Sequence, residues 1–149
     1  MMNTNLTNNL RSMKKTKKVY ISGQISGLER EVYMSRFSRV EQMLKDRGYM
    51  VVNPTRVWVC RWERLWKFLA GRTSEHTIYA LTLLYDLWLM MRCDLIYKIP
   101  GWRESHGANI ESCVAYHLKI WQLPTKQRET IDKKMAKMID RQNAKINAA

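Results

Sequence analysis

The chain has 149 residues, which suits one domain of ordinary size and leaves little room for a second. Hydrophobic residues make up 46% of it and charged residues 26%, a composition that excludes a disordered chain and supports a packed core. The net charge is +13, but residues 1–18 contribute +5 of it and residues 124–149 contribute +4. Basic ends attract nucleic acid or anionic lipid and say little about the chemistry of the domain between them.

Cysteine usage and hydropathy predict a cytoplasmic protein without membrane association. The three cysteines are odd in number and have no C-x-x-C spacing, so neither a disulfide framework nor a zinc ribbon is encoded. The longest apolar run, residues 78–91, contains Asp86 and is too short to cross a bilayer. The polar start has no secretory signal, and no metal-ligand constellation is visible. We expect no cofactor.

The first third of the chain predicts a strand, a helix and a second strand, over residues 17–22, 31–47 and 49–52. Residues 55–76, which follow, are rich in Trp and Arg and match no known motif. Within them Trp58, Trp62 and Trp66 are spaced i, i+4, i+8 and therefore share one face of a helix. A stripe of this kind is typical of a core or an interface.

The rest of the chain predicts alternating helices and strands, over residues 77–92, 94–99, 108–118, 120–123 and 126–146. The helix over residues 77–92 is apolar nearly all round, which is typical of a buried helix. The last helix is charged and only weakly amphipathic.

This alternation predicts an α/β fold, a flavodoxin/Rossmann-like three-layer sandwich with a parallel sheet of four to five strands. The domain would span residues 18–124, between a basic tail at 1–17 and a basic C-terminal helix or tail at 125–149. Ligands of such sheets bind beyond the carboxyl ends of the strands, where the strand order reverses. The rule selects the loops at residues 22–27 and 100–107.

Two carboxylates stand out against this fold. Glu111 falls in the first turn of the predicted helix after the second of these loops, where it either complements the helix dipole or takes part in chemistry. Asp86 lies in an otherwise apolar helix, where it either pairs with an arginine such as Arg92 or has a raised pKa and acts as a general acid. Two carboxyl groups flanking one crevice are what cleavage of a glycosidic bond requires.

Four segments carry motifs: YISGQISG at 20–27, GYMVVNP at 48–54, CDLIYKIPGW at 93–102 and SHGANIE at 105–111. Together they resemble the DUF4406 proteins of bacteria and phages over residues 18–124, and that family is similar to the nucleoside 2-deoxyribosyltransferase superfamily. One departure is Gln24, where DUF4406 proteins usually have Pro.

The resemblance implies a flavodoxin-like sheet, Glu111 as a nucleophile and Asp86 as the second carboxylate. Ser105 matches the related enzymes that hydrolyse deoxynucleoside 5′-monophosphates, which favours a phosphorylated substrate. Superfamily members often complete their sites across a subunit boundary, which implies a homo-oligomer. The substrate-binding residues that we expect are Ser22, Gly23, Ser26, Gly27, Trp102, Ser105, Gly107 and Ala108.

We therefore expect an enzyme that cleaves or exchanges the base of a nucleoside or nucleoside 5′-monophosphate, with the choice between hydrolase and transferase left open. One alternative is a nucleotide-binding or sensor module that uses the same loops without turnover. A second alternative is a nucleic-acid-binding protein that uses its basic tails.

Overall fold

The computed structural model describes residues 16–56, 71 and 74–148. Four strands form a parallel sheet in the order β2-β1-β3-β4, with β1 at Lys18–Ser22, β2 at Met50–Val52, β3 at Leu95–Lys98 and β4 at Trp121–Gln122. Because the chain leaves β1 toward one side of the sheet and later returns to its other side, the strand order reverses between β1 and β3. The predicted α/β class and parallel sheet are confirmed.

Among the described residues, helices cover the two faces of the sheet: α1 at Arg30–Lys45, α2 at Glu75–Met91, α3 at His106–His117 and α4 at Thr125–Asn147. Alternate residues of β1 point to opposite faces, as in any strand. Val19 and Ile21 pack with residues of α1 and α4, whereas Tyr20 packs with residues of α2 and α3. The result is the predicted three-layer arrangement, with the carboxyl ends of β1 and β3 side by side at one edge.

The C-terminal segment, which we expected outside the core, forms α4 and contributes to it. Ile131 and Met135 are fully buried in the cluster that joins the sheet to α1. The partly buried Met138 and Ile139 continue this apolar stripe at helical spacing, which the charged residues around them conceal in the sequence.

The prediction of a buried helix over residues 77–92 is wrong for about half of its surface. Leu81, Leu84, Trp88 and Met91 of α2 are exposed, whereas Asp86 and Met90 are buried. A helix that covers one face of a sheet buries only the stripe that faces it, however apolar the opposite side is.

The predicted stripe of Trp58, Trp62 and Trp66 and most of the tail at 1–17 lie outside the described residues. Within the described ranges, no helix has the length and apolar content needed to span a membrane.

Candidate functional site

The carboxyl end of β1 holds Glu111 of α3 in a buried position. Tyr20 and Ser22 are two residues apart on β1, so their side chains point to the same face. The Tyr20 hydroxyl donates a hydrogen bond to Glu111 Oε1 at 2.7 Å, and the Ser22 hydroxyl donates one to Oε2 at 2.5 Å. Each carboxylate oxygen of Glu111 therefore has its own hydroxyl donor inside the protein.

The start of α3 differs from the prediction by two residues. Ser105 is the N-cap, its Oγ accepting the amide of Ala108 at 3.4 Å, and the helix begins at His106. Glu111 consequently lies in the second turn rather than the first, where a helix dipole acts only weakly. Burial and two side-chain donors describe its environment better than the dipole does.

Asp86 of α2 faces the same region. It is buried, and its Oδ1 atom has no hydrogen-bond partner among the described residues. Arg92, the candidate partner, instead places its guanidinium over the Trp88 ring at 4.7 Å from the centroid. An ion pair with Arg92 is therefore not formed.

The two carboxyl groups differ in what stabilises their charge. Burial, and secondarily the charge of Glu111, raise the pKa of Asp86 to about 7. Burial also raises the pKa of Glu111, but the hydrogen bonds from Ser22 and Tyr20 oppose that rise. When two carboxyl groups share a site, the one with hydrogen-bond donors carries the charge more readily and the other holds the proton.

Asp86 and Glu111 line one pocket of about 350 Å³ between α2, α3 and the carboxyl edge of the sheet. Five of the predicted substrate-binding residues also line it: Gly23, Ser26, Ser105, Gly107 and Ala108. Ser22 acts through its hydrogen bond to Glu111. The described lining contains neither lysine nor arginine, so the polar groups that it offers are hydroxyls, backbone amides and the two acids.

Besides Ser22, two predicted residues, Gly27 and Trp102, are not among the described lining. Gly27 has a φ of +79°, which a turn residue without a side chain adopts freely, and it is exposed after the β1 loop. Trp102 packs with its ring under Lys98 Nζ, 4.1 Å from the ring centroid. It lines a different cavity, together with residues of the loop after β3 and of α4.

Sequence reasoning missed several lining residues that the structure brings to the pocket. Thr82 precedes Asp86 by one helical turn and Tyr79 precedes it by two, so their helical spacing could have revealed them. The Thr82 hydroxyl is also buried without a hydrogen-bond partner in the described part of the chain. The remaining missed residues are Ile25, Tyr33, Thr55, Ile78 and Leu83.

Thr55 is held in the pocket wall by a buried network that explains the Asn-Pro motif after β2. Asn53 Oδ1 accepts hydrogen bonds from the Thr55 amide at 3.0 Å and from its hydroxyl at 2.7 Å. Asn53 Nδ2 donates to Glu41 at 2.8 Å, and Glu41 also pairs with Lys45 and Arg56. Burial opposes the charge of Glu41, but these partners hold its pKa below the ordinary value.

No three His, Cys, Asp or Glu side chains of the described residues lie close enough together to hold a metal ion. Residues 17–121 match the family model described as a domain of unknown function, DUF4406. No curated protein matches the chain.

Proposed function

Because the chain belongs to the DUF4406 family, whose function is unknown, we propose its activity from the pocket itself: it cleaves or exchanges the N-glycosidic bond of a nucleoside or nucleoside 5′-monophosphate. One observation carries the proposal. One pocket contains two buried carboxyl groups in unequal environments: Glu111 has two hydroxyl donors, and one oxygen of Asp86 has no hydrogen-bond partner among the described residues. This inequality provides a nucleophile and an acid at the same pH.

In the first half of the proposed reaction, the Glu111 carboxylate attacks the anomeric carbon of the sugar. The bond between that carbon and the base nitrogen breaks, and its electron pair leaves with the base. Asp86, protonated near neutral pH, gives its proton to the departing base. A glycosyl ester of Glu111 and an ionised Asp86 remain.

In the second half, a water molecule or a second base attacks the anomeric carbon and releases Glu111. Asp86 accepts the proton that the acceptor loses, which restores the starting state of both acids. Water as the acceptor makes the protein a hydrolase, and a second base makes it a transferase.

The proposed sugar-phosphate site is the start of α3 together with the β1 loop. The amide of Gly107 lies at the first turn of α3, where a free N–H group and the dipole favour an anion, and Ala108, whose amide is bonded to the Ser105 hydroxyl, lines the pocket beside it. The Ser105 hydroxyl accepts the Ala108 amide and keeps its own proton to donate. With Ser26, these groups could bind a phosphate without a cation. Tyr33 and Tyr79 supply aromatic surface for the base.

The test is incubation of the full chain with a panel of nucleosides and 5′-monophosphates, with and without a second base, while free base is measured chromatographically. Glu111→Ala should abolish base release, and Asp86→Asn should lower it by about 10²-fold or more. Asp132→Asn is the matched control, because Asp132 is bonded to Tyr97 on the opposite face of the sheet.

Base release that survives Glu111→Ala would contradict the mechanism. Nucleotide binding without base release by the parent chain would instead support the binding or sensor module.

A further inference from the structure

A second concave surface lies at the β4 edge of the sheet, away from the carboxylate pocket. Two adjoining cavities of about 780 and 840 Å³ share Lys98, Gln122 and Arg128 in their linings. Together they form what we call the edge groove, which runs between α3 and the beginning of α4. Neither Asp86 nor Glu111 lines it, so it is separate from the proposed reaction site.

Positive charge predominates in the edge groove. Its basic side chains are Lys98, Arg103, Lys119, Arg128 and Lys133, accompanied by His117. Its acids are Glu104 and Asp132, and Asp132 already accepts a hydrogen bond from the Tyr97 hydroxyl at 2.7 Å. The two ion pairs found among the described residues both involve Glu41, so none of these five basic residues is paired there.

Two of the five basic side chains, Lys98 and Arg128, are held in the groove by hydrogen bonds. Lys98 Nζ donates to Ser112 Oγ at 3.0 Å, and Arg128 donates to Gln122 Oε1 at 2.6 Å, so both heads are fixed in the groove. Burial lowers the pKa of Lys98, and the charges of Arg103 and Arg128 lower it further. An anion bound between these side chains would relieve this mutual repulsion.

Aromatic side chains accompany the charges. Trp102 lies against Lys98 and Arg103 within the groove. Trp121 and Tyr116 also line it and leave 70% and 80% of their surfaces exposed, so packing does not account for them. Aromatic faces beside a positively charged channel are the combination by which proteins hold unpaired nucleic-acid strands.

We propose that the edge groove binds single-stranded nucleic acid. Its basic side chains contact the phosphates, while Trp121 and Tyr116 stack on the bases. A single phosphate would engage only part of the basic and aromatic lining, and a duplex does not expose its base faces to stacking. The groove belongs to the folded domain, which distinguishes this surface from binding by the basic tails alone.

The experiment measures fluorescence anisotropy of a labelled oligothymidylate of about 15 nucleotides, a length that spans one binding site. The full chain is titrated at several salt concentrations between about 50 and 200 mM. Lys98→Gln/Arg128→Gln removes two charges from the groove, and Trp121→Ala removes one stacking face. The matched control is Arg30→Gln/Arg39→Gln, which removes two exposed charges from α1.

We expect the groove double variant to bind at least about tenfold more weakly, and its log–log salt slope to fall by about 1.4. Trp121→Ala, which removes an exposed ring, should weaken binding by about fivefold or more at every salt concentration. The control variant should retain most of the affinity.

Equal losses in the control and groove variants would overturn the proposal, because overall charge would then explain the binding. Equally tight binding of a duplex, or displacement of the strand by thymidine 5′-monophosphate at matched phosphate concentration, would overturn it as well. The proposal is independent of base release, so failure of one leaves the other standing.

Discussion

The hydroxyl of Tyr20 is one of two donors that stabilise the charged form of Glu111. Tyr20→Phe keeps the buried ring and removes the 2.7 Å hydrogen bond to Oε1. Since this bond favours the carboxylate, its loss should raise the pKa of Glu111 and move the acid limb of the kcat/KM profile to higher pH. A bond to a charged group is worth about 1.5–3 kcal/mol, so kcat/KM on the acid limb of the profile should fall roughly 10- to 100-fold.

Tyr97→Phe is the control for this change. Tyr97 is also fully buried and donates a 2.7 Å hydrogen bond to a carboxylate, that of Asp132, but on the other face of the sheet. Tyr97→Phe should lower the melting temperature about as much as Tyr20→Phe does, and it should leave the pH profile of kcat/KM unchanged. An unshifted acid limb in Tyr20→Phe would show that the tyrosine serves packing alone.

Asp86 should make the protein less stable as pH rises. Its pKa in the folded chain is about 7 against an ordinary value of 3.8, so the folded state holds a proton that the unfolded state has lost. The free energy of unfolding therefore falls between these two pH values and is level above about 7. Asp86→Asn removes the effect, and its stabilisation relative to the parent should grow from pH 4 to pH 8 by up to about 4 kcal/mol.

Urea unfolding of both proteins across this range measures the difference. Asp140→Asn, at an exposed position on α4, should follow the parent at every pH. A constant difference between Asp86→Asn and the parent would mean that Asp86 is already ionised in the folded protein at the lowest pH.

At the scale of the elements, the turn after β1 must approach β3 closely. A Cβ atom on Gly23 would lie 3.1 Å from the Ile99 side chain and 3.2 Å from Phe37 Cζ. Gly23→Ala should therefore cost about 1–3 kcal/mol of stability through overpacking. It should also displace Ser26 in the same loop. Thermal unfolding and substrate affinity measure these two effects.

Gly107→Ala supplies the comparison for stability. A Cβ there would lie 3.7 Å from the Tyr79 hydroxyl, an ordinary contact, so the fold should tolerate it. If Gly23→Ala were equally well tolerated, the close approach of β1 and β3 would not constrain this loop.

The elements themselves could be predicted from apolar spacing, because period and chain order are local properties. The predicted strand at 94–99 is observed as Leu95–Lys98, and the predicted helix at 126–146 as Thr125–Asn147. The predicted start of α3 is two residues too late, because His106 and Gly107 are poor helix formers and conceal the N-cap at Ser105.

The candidate site could be predicted only in part, because some of its contacts join residues that are far apart in the sequence. Asp86 and Glu111 were selected because a carboxylate in an apolar or loop-proximal position is conspicuous in sequence. The sequence also indicates a place for Tyr20 near Glu111, because Tyr20 shares a strand face with Ser22, a predicted site residue. Nothing in the sequence indicates that Thr55 lines the pocket. The network that positions it depends on a contact between Asn53 and Glu41 that only the fold creates.

At the scale of the whole molecule, one face of α2 lines the pocket and the opposite face exposes apolar side chains to solvent. Asp86, Thr82 and Tyr79 line the pocket. The exposed Leu81, Leu84, Trp88 and Met91 are spaced i, i+3, i+7, i+10 and lie on the opposite side of the helix. Trp88 is fixed there by stacking on Tyr85 and by Arg92 above its ring.

This spacing is that of a helix-pairing seam, which a second copy of the same helix would complement about a two-fold axis. We therefore expect a homodimer through α2. Leu84→Glu/Trp88→Glu should shift the sedimenting species from dimer to monomer, because two carboxylates would be buried in the seam. Ile146→Glu, at an exposed apolar residue of α4, is the control and should leave the dimer intact.

The same geometry predicts how assembly relates to activity. Since the seam lies opposite Asp86, a partner docked on it contributes no residue to the pocket. Leu84→Glu/Trp88→Glu, the variant that we expect to be monomeric, should therefore release base at the rate of the parent chain in the same chromatographic assay. A monomer that is folded but inactive would indicate that the site is completed across the interface. A parent chain that sediments as a monomer at every concentration would contradict pairing through α2.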